Sequence, residues 1–432
     1  MVPGTPDEET ATLAAVVAAL GPRGAVSTLR GRGLGAIPVI AALRDLGVSV
    51  ERRAGAAGGG LSIVGTGGAL AAPRRPIDCG DSPAALAALT GWLSALPIES
   101  TVDADEAVAR RHLFSIARAL RQRGALIEGR LEPKRPRELG APCVVGPATQ
   151  APSPLELALA AHEPLAKTAA LVSGLFANGE TRIVEPLVTS DFCERILVAA
   201  GAKLRAAGPH LLLEPIPDVP IPRSLDEELP ASPSSAAGLV LAALAVPMSR
   251  VGVRRVVATP PALGWLESLR DAGAALHLEA KPDACGVPTL DVIAVGPPAR
   301  ALVVGGERAA RAAVALPLLA AMAATAPRGT ACRLDDLPCD RETSAATERM
   351  LTAFGVSAAW TGQGLDVVGQ AQALTACELD ADGDPELAMA AAALALGARG
   401  TTVIHGAEAL LRKHPRFVST LRALGAAIDA SE

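Results

Sequence analysis

Six times along this chain a helix with a leucine-rich face runs into a glycine and leaves it as an alternating strand. The stretches are 41–52 (AALRDLGVSVER), 116–129 (IARALRQRGALIEG), 194–205, 266–279 (LESLRDAGAALHLE), 348–360 (ERMLTAFGVSAAW) and 418–429 (VSTLRALGAAID). Their closing glycines are Gly47, Gly124, Gly201, Gly273, Gly355 and Gly425, and subtraction of successive positions gives spacings of 77, 77, 72, 82 and 70 residues. Self-similarity at a near-fixed period outranks local propensity as a fold signal, so the chain reads as six copies of one supersecondary unit.

The third copy shows the unit most fully, across 162–204. Leu165, Ala169, Val172 and Phe176 fall on one helical face, and Asn178-Gly179 supplies a turn. Thr181 to Val184 reads as a strand. Ser190 is placed to cap a second helix whose first turn carries Asp191 and Glu194, and Gly201 closes it. Around Ala207-Gly208, 202–205 and 210–213 read as a hairpin. Lys167 falls on the side of its helix expected to face solvent.

Elsewhere an apolar helix is expected over 10–20, a strand over 61–64, and a helix over 84–96 that follows Gly80-Asp81-Ser82. The proline-rich segment 133–154 reads as an ordered loop around a short strand at 143–145. The densest proline cluster lies between His210 and Pro233 (PIPDVPIPRSLDEELPASP). Such segments mark linkers, and three copies precede it while three follow. The expected organisation is an N-terminal lobe over 13–220 and a C-terminal lobe of 1–12 plus 221–432, with hinges near 6–12 and 217–226. The fold class is α/β (α+β), six βαβαββ-type repeats in two lobes.

Half of the 432 residues are apolar but only 2% are aromatic and Tyr is absent, so the core must be built from Ala, Leu and Val. A formal charge of −5 argues against a nucleic-acid binder, which needs a clustered basic surface. The seven cysteines are scattered without a CxxC pair, which suits reduced cytosolic thiols, and the six histidines show no metal-ligand spacing with them. MVPGTPDEET is acidic and without an apolar stretch, unlike a signal peptide, and uncharged runs such as 312–326 are too short to span a bilayer. A cytoplasmic protein without metal, membrane or nucleic-acid partner is expected.

Several local stretches resemble one family. LAKTAALVSGLFANGETRIVEP is similar to QVKSALLLAGLxAxGETxVxEP, DADEAVARRHL to GDESLRKRPM, and SPSSAAGLVLAALAV to an ISSAAFFLVAA segment. DPELAMAAAALAL resembles DHRIAMAFAL, and RKHPRFVSTLRALGA resembles KSFPxFWxxLxxLGA. In order and over essentially the whole chain, these resemble the enolpyruvyl transferase fold of the EPSP synthase (3-phosphoshikimate 1-carboxyvinyltransferase) family. The resemblance implies transfer of the enolpyruvyl group of phosphoenolpyruvate to the 5-hydroxyl of shikimate 3-phosphate with release of phosphate. It also implies a generally monomeric protein using no cofactor. Two polyanions must then be held together by Lys and Arg while a carboxylate moves protons.

Carried over residue by residue, the resemblance assigns substrate contacts to Arg111, Thr189 and Arg412 and to Asp81 and Ser82 of the Gly80-Ala84 turn, and catalysis to Asp340. The family's opening lysine and arginine fall on Pro6 and Ala11, its phosphate-holding Ser-x-Gln on Glu163, Pro164 and Leu165, its proton-accepting aspartate near Val314, and the arginine of DHRIAMA on Glu386. At about 5 Å and an effective dielectric near 20 a charge pair is worth roughly 3 kcal/mol, so the reversal at Glu386 swings that site by about 6 kcal/mol before screening. Three readings follow: the transferase itself, a catalytically silent paralogue that binds or regulates, and a transferase for another acceptor. Against the last stands the lack of a clear catalytic cysteine loop of the kind such enzymes use, although Cys79 and Cys339 lie near matched motifs.

Overall fold

The computed structural model describes residues 1–432 except 55–58, 133–134, 161–162, 187–188 and 431–432, with side chains undescribed also at 131–132, 135–138 and 261. It divides into two compact units, Glu8–Leu229 with Ala284–Val287, and Met1–Asp7 with Pro230–Asp283 and Pro288–Glu432. The sequence placed the second change of lobe near 217–226; the units change at Leu229/Pro230. The physical reason is pairing within the first unit: Asp226–Glu228 joins the edge of Val26–Arg30 in parallel, and Leu225 N–H donates to Ser27 Oγ.

Each unit is built on three helices that are apolar all round. In the first these are Glu8–Leu20, Pro83–Leu93 and Pro164–Gly174; in the second, Pro233–Ala245, Leu316–Ala324 and Pro385–Ala395. A helix without a polar stripe must be buried, and these are: every residue of 84–93, 165–174 and 316–324 is enclosed. Helices this close need small residues where they cross. A Cβ at Gly91 would stand 2.6 Å from the Ala169 carbonyl oxygen, and one at Gly238 would collide with Met389 Sδ. The Ala-rich, aromatic-poor composition is what this packing requires.

Among the described residues six sheets stand around the helices, three per unit, and five of them have four strands. A strand from elsewhere in the chain joins each of them edge-on in parallel, for example Leu155–Ala158 beside Thr181–Val184 and Glu378–Asp380 beside Val403–His405. Five of the marked glycines lead directly into a sheet strand, as Gly201 leads into Lys203–Ala207, which pairs antiparallel with His210–Glu214.

The sixfold recurrence is visible at atomic detail. All six marked glycines have positive φ, from 75° to 97°. At each, the glycine N–H donates three residues back and the following N–H five back, as with Gly124 to Arg121 and Ala125 to Leu120. That is the Schellman helix ending, and a left-handed residue is its requirement. In three copies the arginine three residues before the glycine reaches over to the carbonyl three residues after it: Arg44 to Val50, Arg121 to Ile127 and Arg422 to Ile428. Gly124 has nothing within 4 Å of a built Cβ, whereas at Gly201 a Cβ would lie 2.8 Å from Pro222 Cγ. Urea unfolding is therefore expected to show Gly124→Ala costing about 1 kcal/mol of backbone strain alone, and Gly201→Ala roughly twice that. Equal losses would mean that contact with Pro222 adds nothing.

Four local expectations are corrected. The segment 133–154 contains an eleven-residue strand, Arg135–Val145, instead of a loop with a short strand, because Ile127–Glu132 offers it a full antiparallel partner; Pro133 and Lys134 lie outside the described residues. Ser190 does not cap its helix: Asp191 is the boundary residue, and Ser190 Oγ donates to Glu9. Among the described residues, 426–429 form no strand, as no hairpin partner follows them. Lys167 is fully buried.

Candidate active site

In the first unit, Ser82 begins the Pro83–Leu93 helix. It is buried, and its Oγ accepts from Ala85 N–H at 3.4 Å. Gly80 at φ 54° sets the turn before it, which leaves Asp81 exposed at the helix mouth. The neighbouring Cys79 is buried, and burial pushes its thiol well above the ordinary range. A thiol held neutral that way is no nucleophile. Cys143 is likewise raised by burial, to about 11.

Arg111 lies on the exposed side of the amphipathic helix Glu106–Arg121, seven residues before Arg118. Seven residues are two turns, so both guanidinium stems rise from one stripe about 10 Å apart. Arg118 is already engaged: it donates to Glu163 Oε2, which also accepts from Ala160 N–H at 3.3 Å. At the other end of the same segment, Arg123 is 3% exposed and donates to Ala170 O, Ser173 Oγ and Thr181 Oγ1 at 3.2, 2.7 and 2.6 Å. Burial pulls its pKa down to about 10, yet it remains charged at neutral pH.

Thr189 stands beside a buried ionic cluster that sequence reasoning missed. Lys167 Nζ lies 2.6 Å from Glu194 Oε1, 3.1 Å from Glu185 Oε2 and 3.3 Å from Glu185 Oε1, with the lysine side chain fully enclosed. Glu185 Oε2 in turn accepts from Thr189 Oγ1 at 3.0 Å and from Thr189 N–H at 3.4 Å. Burial lowers the lysine pKa, but Glu194 and Glu185 outweigh it and hold the ammonium above its usual range. Glu194 goes the other way: burial outweighs Lys167 and raises its carboxyl, whose Oε2 has no hydrogen-bond partner. Two carboxylates against one ammonium leave a net negative charge, and Glu194 is where the strain falls. The available signal was a lysine in an otherwise apolar helical run, with two glutamates shortly downstream.

In the second unit, Asp340 is the N-cap of Arg341–Ala353. It is exposed and accepts from Thr343 N–H at 2.7 Å, and that bond holds its carboxyl below the usual range. Nearby, Cys339 Sγ is 3.2 Å from Ser344 Oγ. Arg412 is exposed on the short helix Glu408–Lys413, while the adjacent Lys413 binds Glu386 Oε1 at 2.8 Å. The negative charge at Glu386 is thus matched inside its own unit. Val314 is buried in the core. Next to these, His414 is 3% exposed with both ring nitrogens unpartnered, and burial, with Lys413 second, lowers its pKa to about 3.

Among the described residues no group of three His, Cys, Asp or Glu is placed to hold a metal ion, and no helix is long and apolar enough to cross a membrane. The first unit offers the exposed guanidinium of Arg111 for an anion, and the second offers that of Arg412 and the carboxylate of Asp340.

Residues 5–421 match the family model described as EPSP synthase (3-phosphoshikimate 1-carboxyvinyltransferase). The 3-phosphoshikimate 1-carboxyvinyltransferase of Acidiphilium cryptum is 33% identical over 400 residues, 90% of this chain and 86% of that one. The protein of the same name from Synechococcus sp. (strain RCC307) is 30% identical over 394 residues, 89% and 87% of the two chains. Among solved structures, EPSP synthase from Acinetobacter baumannii superposes with a TM-score of 0.85 at 24% identity, covering 100% of this chain and 97% of that one. The enolpyruvyl transferase NikO from Streptomyces tendae follows at 0.72 and 16%, covering 100% and 95%. The structural likenesses speak for the fold.

Proposed function

Because this chain belongs to the EPSP synthase family, we propose that it is an enolpyruvyl transferase, moving the enolpyruvyl group of phosphoenolpyruvate to the 5-hydroxyl of shikimate 3-phosphate and releasing phosphate. The observation that carries this reading is the match to one transferase family along residues 5–421. The reaction places it in the shikimate route to chorismate and the aromatic amino acids, in the cytoplasm.

The residues assigned to the substrates are Arg111 and Arg412, exposed cations suited to phosphate or carboxylate oxygens, together with Thr189 and Asp81. Ser82 fixes the turn that presents Asp81. Asp340 is held ionised by its Thr343 bond, so it is open to accept a proton and unsuited to donate one, though that same bond makes it a weak base. On this reading Asp340 is assigned the proton of the attacking hydroxyl, and Arg111 and Arg412 are each assigned an anionic group.

A phosphate-release assay with both substrates tests it. Release dependent on both is expected, and Arg111→Ala should raise the KM for phosphoenolpyruvate by roughly tenfold or more, the worth of a charge-assisted hydrogen bond. Folded protein that releases no phosphate would remove the proposal. A binding protein without turnover is the second reading. It is favoured by the acidic residues at matched positions, Glu163 and Glu386, being closed off in internal pairs with Arg118 and Lys413.

A further inference from the structure

In five of the six copies an antiparallel strand lies beside the central strand of the sheet. The sixth differs: among the described residues Val403–His405 pairs only with Glu378–Asp380. Val403 N–H donates to Cys377 O and Ala381 N–H to His405 O, so the backbone groups of 403 and 405 face that neighbour and those of Ile404 face the open edge. In four other copies the place of Ile404 is taken by Leu29, Val102, Ile183 and Leu334, which stand opposite Leu61, Cys143, Leu211 and Leu365. All eight are buried, whereas Ile404 is only partly so.

The helix ending sets a second wall. Arg422 Nε donates to Ile428 O at 2.6 Å, as Arg44 does to Val50 O and Arg121 to Ile127 O, so Ile428 stands where those copies begin the outer strand of their hairpin. Three residues past the glycine, Val50, Ile127, Leu204 and Ala358 pair with Ile63, Val145, Leu213 and Val367. Each of those partners lies two residues after the one that faces the central strand: Ile63 after Leu61, Val145 after Cys143, Leu213 after Leu211 and Val367 after Leu365. The strand in between is therefore apolar at i and i+2, and both of these side chains are buried in all four copies. We propose that the sixth sheet is the docking site for a peptide strand of a partner protein, entering antiparallel to Val403–His405 with one aliphatic residue against Ile404 and the next but one against Ile428. Main-chain bonds to Ile404 hold such a strand, and the two aliphatic side chains select it. A second copy of this chain offers no such strand from the same edge, because its own 403–405 is tied on one side to 378–380, while a strand lying between Ile404 and Ile428 must be free on both sides.

A labelled peptide with the sequence of 362–370, GQGLDVVGQ, is the probe, since it carries Leu365 and Val367. Fluorescence anisotropy with the full chain is expected to show saturable binding below about 1 mM, weakened at least about tenfold when the peptide carries Leu365→Asp and Val367→Asp. Amide exchange reads the place. The Ile404 N–H, on the open edge, is expected to slow at least about tenfold at saturating peptide, while that of Val403, already bonded to Cys377 O, changes little. Ile404→Pro removes the donor on an edge where proline is tolerated and is expected to abolish binding. Absence of saturable binding, equal binding of the Asp peptide, or binding that leaves Ile404 unprotected would each overturn the proposal. So would dimerisation of the chain that protects Ile404 without peptide, since it would assign the edge to a second copy. Should Ile404→Pro fail to fold, the two peptides and the exchange at Ile404 decide without it.

Discussion

Replacing Lys167 by Met is expected to destabilise the first unit by roughly 3 to 5 kcal/mol at neutral pH, the cost of stripping one partner from a buried ion pair. Little of this is packing, since methionine nearly matches the lysine stem in volume. The cost arises because Glu185 and Glu194 are both enclosed and lose the ammonium at 3.1 and 2.6 Å. Glu194 Oε2 already lacks a partner, so the variant would bury two carboxylates without a counter-ion, only Glu185 keeping its bonds from Thr189. The sign of the pH dependence follows. Burial already raises the Glu194 carboxyl against the pull of Lys167, and in the variant that opposing ammonium is gone, so the folded state binds more protons than the unfolded one through the acid range. Stability then increases as pH falls from 7 toward 5. Urea titrations at both pH values check this. A loss below about 1 kcal/mol at pH 7, or one indifferent to pH, would show that water reaches the cluster.

His414→Phe is expected to act in the opposite direction on the second unit. The imidazole is buried without a partner for either nitrogen, and its pKa falls from 6.5 to about 3. Above pH 6.5 both folded and unfolded states carry it neutral and it makes no pH-dependent contribution. Between 6.5 and 3 the unfolded chain binds a proton that the folded one refuses, so stability is lost as pH falls, by about 1.4 kcal/mol per pH unit. At pH 5 that is about 2 kcal/mol relative to pH 7.5. Phenylalanine, the residue of the family's KSFP motif at this place, has no such proton site. The stability of His414→Phe minus that of the wild type should therefore grow by about 2 kcal/mol between pH 7.5 and 5, other titrating groups cancelling in the difference. A constant difference would mean that the folded imidazole takes up a proton as readily as the unfolded one.

Glu386 and Glu163 mark where sequence reading stopped. The charge reversal at Glu386 looked worth about 6 kcal/mol against an anionic ligand. In the folded unit Lys413 meets that carboxylate at 2.8 Å, so the reversal is answered by a neighbour 27 residues away in sequence. Arg118 answers Glu163 in the same manner across 45 residues. Both are substitutions that one position at a time reads as losses and a pair reads as exchanges.

What the sequence determined by itself was the architecture. The six glycines, the leucine faces before them and the alternating strands after them encode local geometry: a helix that must end in a left-handed residue, six times over, with apolar helices that have nowhere to go but inside. Such choices depend on near neighbours and are written in short windows. The partners of buried charges were decided only by tertiary structure. Lys167 on a helical wheel could have faced water; it faces Glu185 and Glu194, 18 and 27 positions on. Ser190 could have capped its helix; it binds Glu9, 181 positions earlier. Coulombic and hydrogen-bond energies depend on distance in space, and the distance in space between such residues is set by how the buried helices pack, which short windows do not contain.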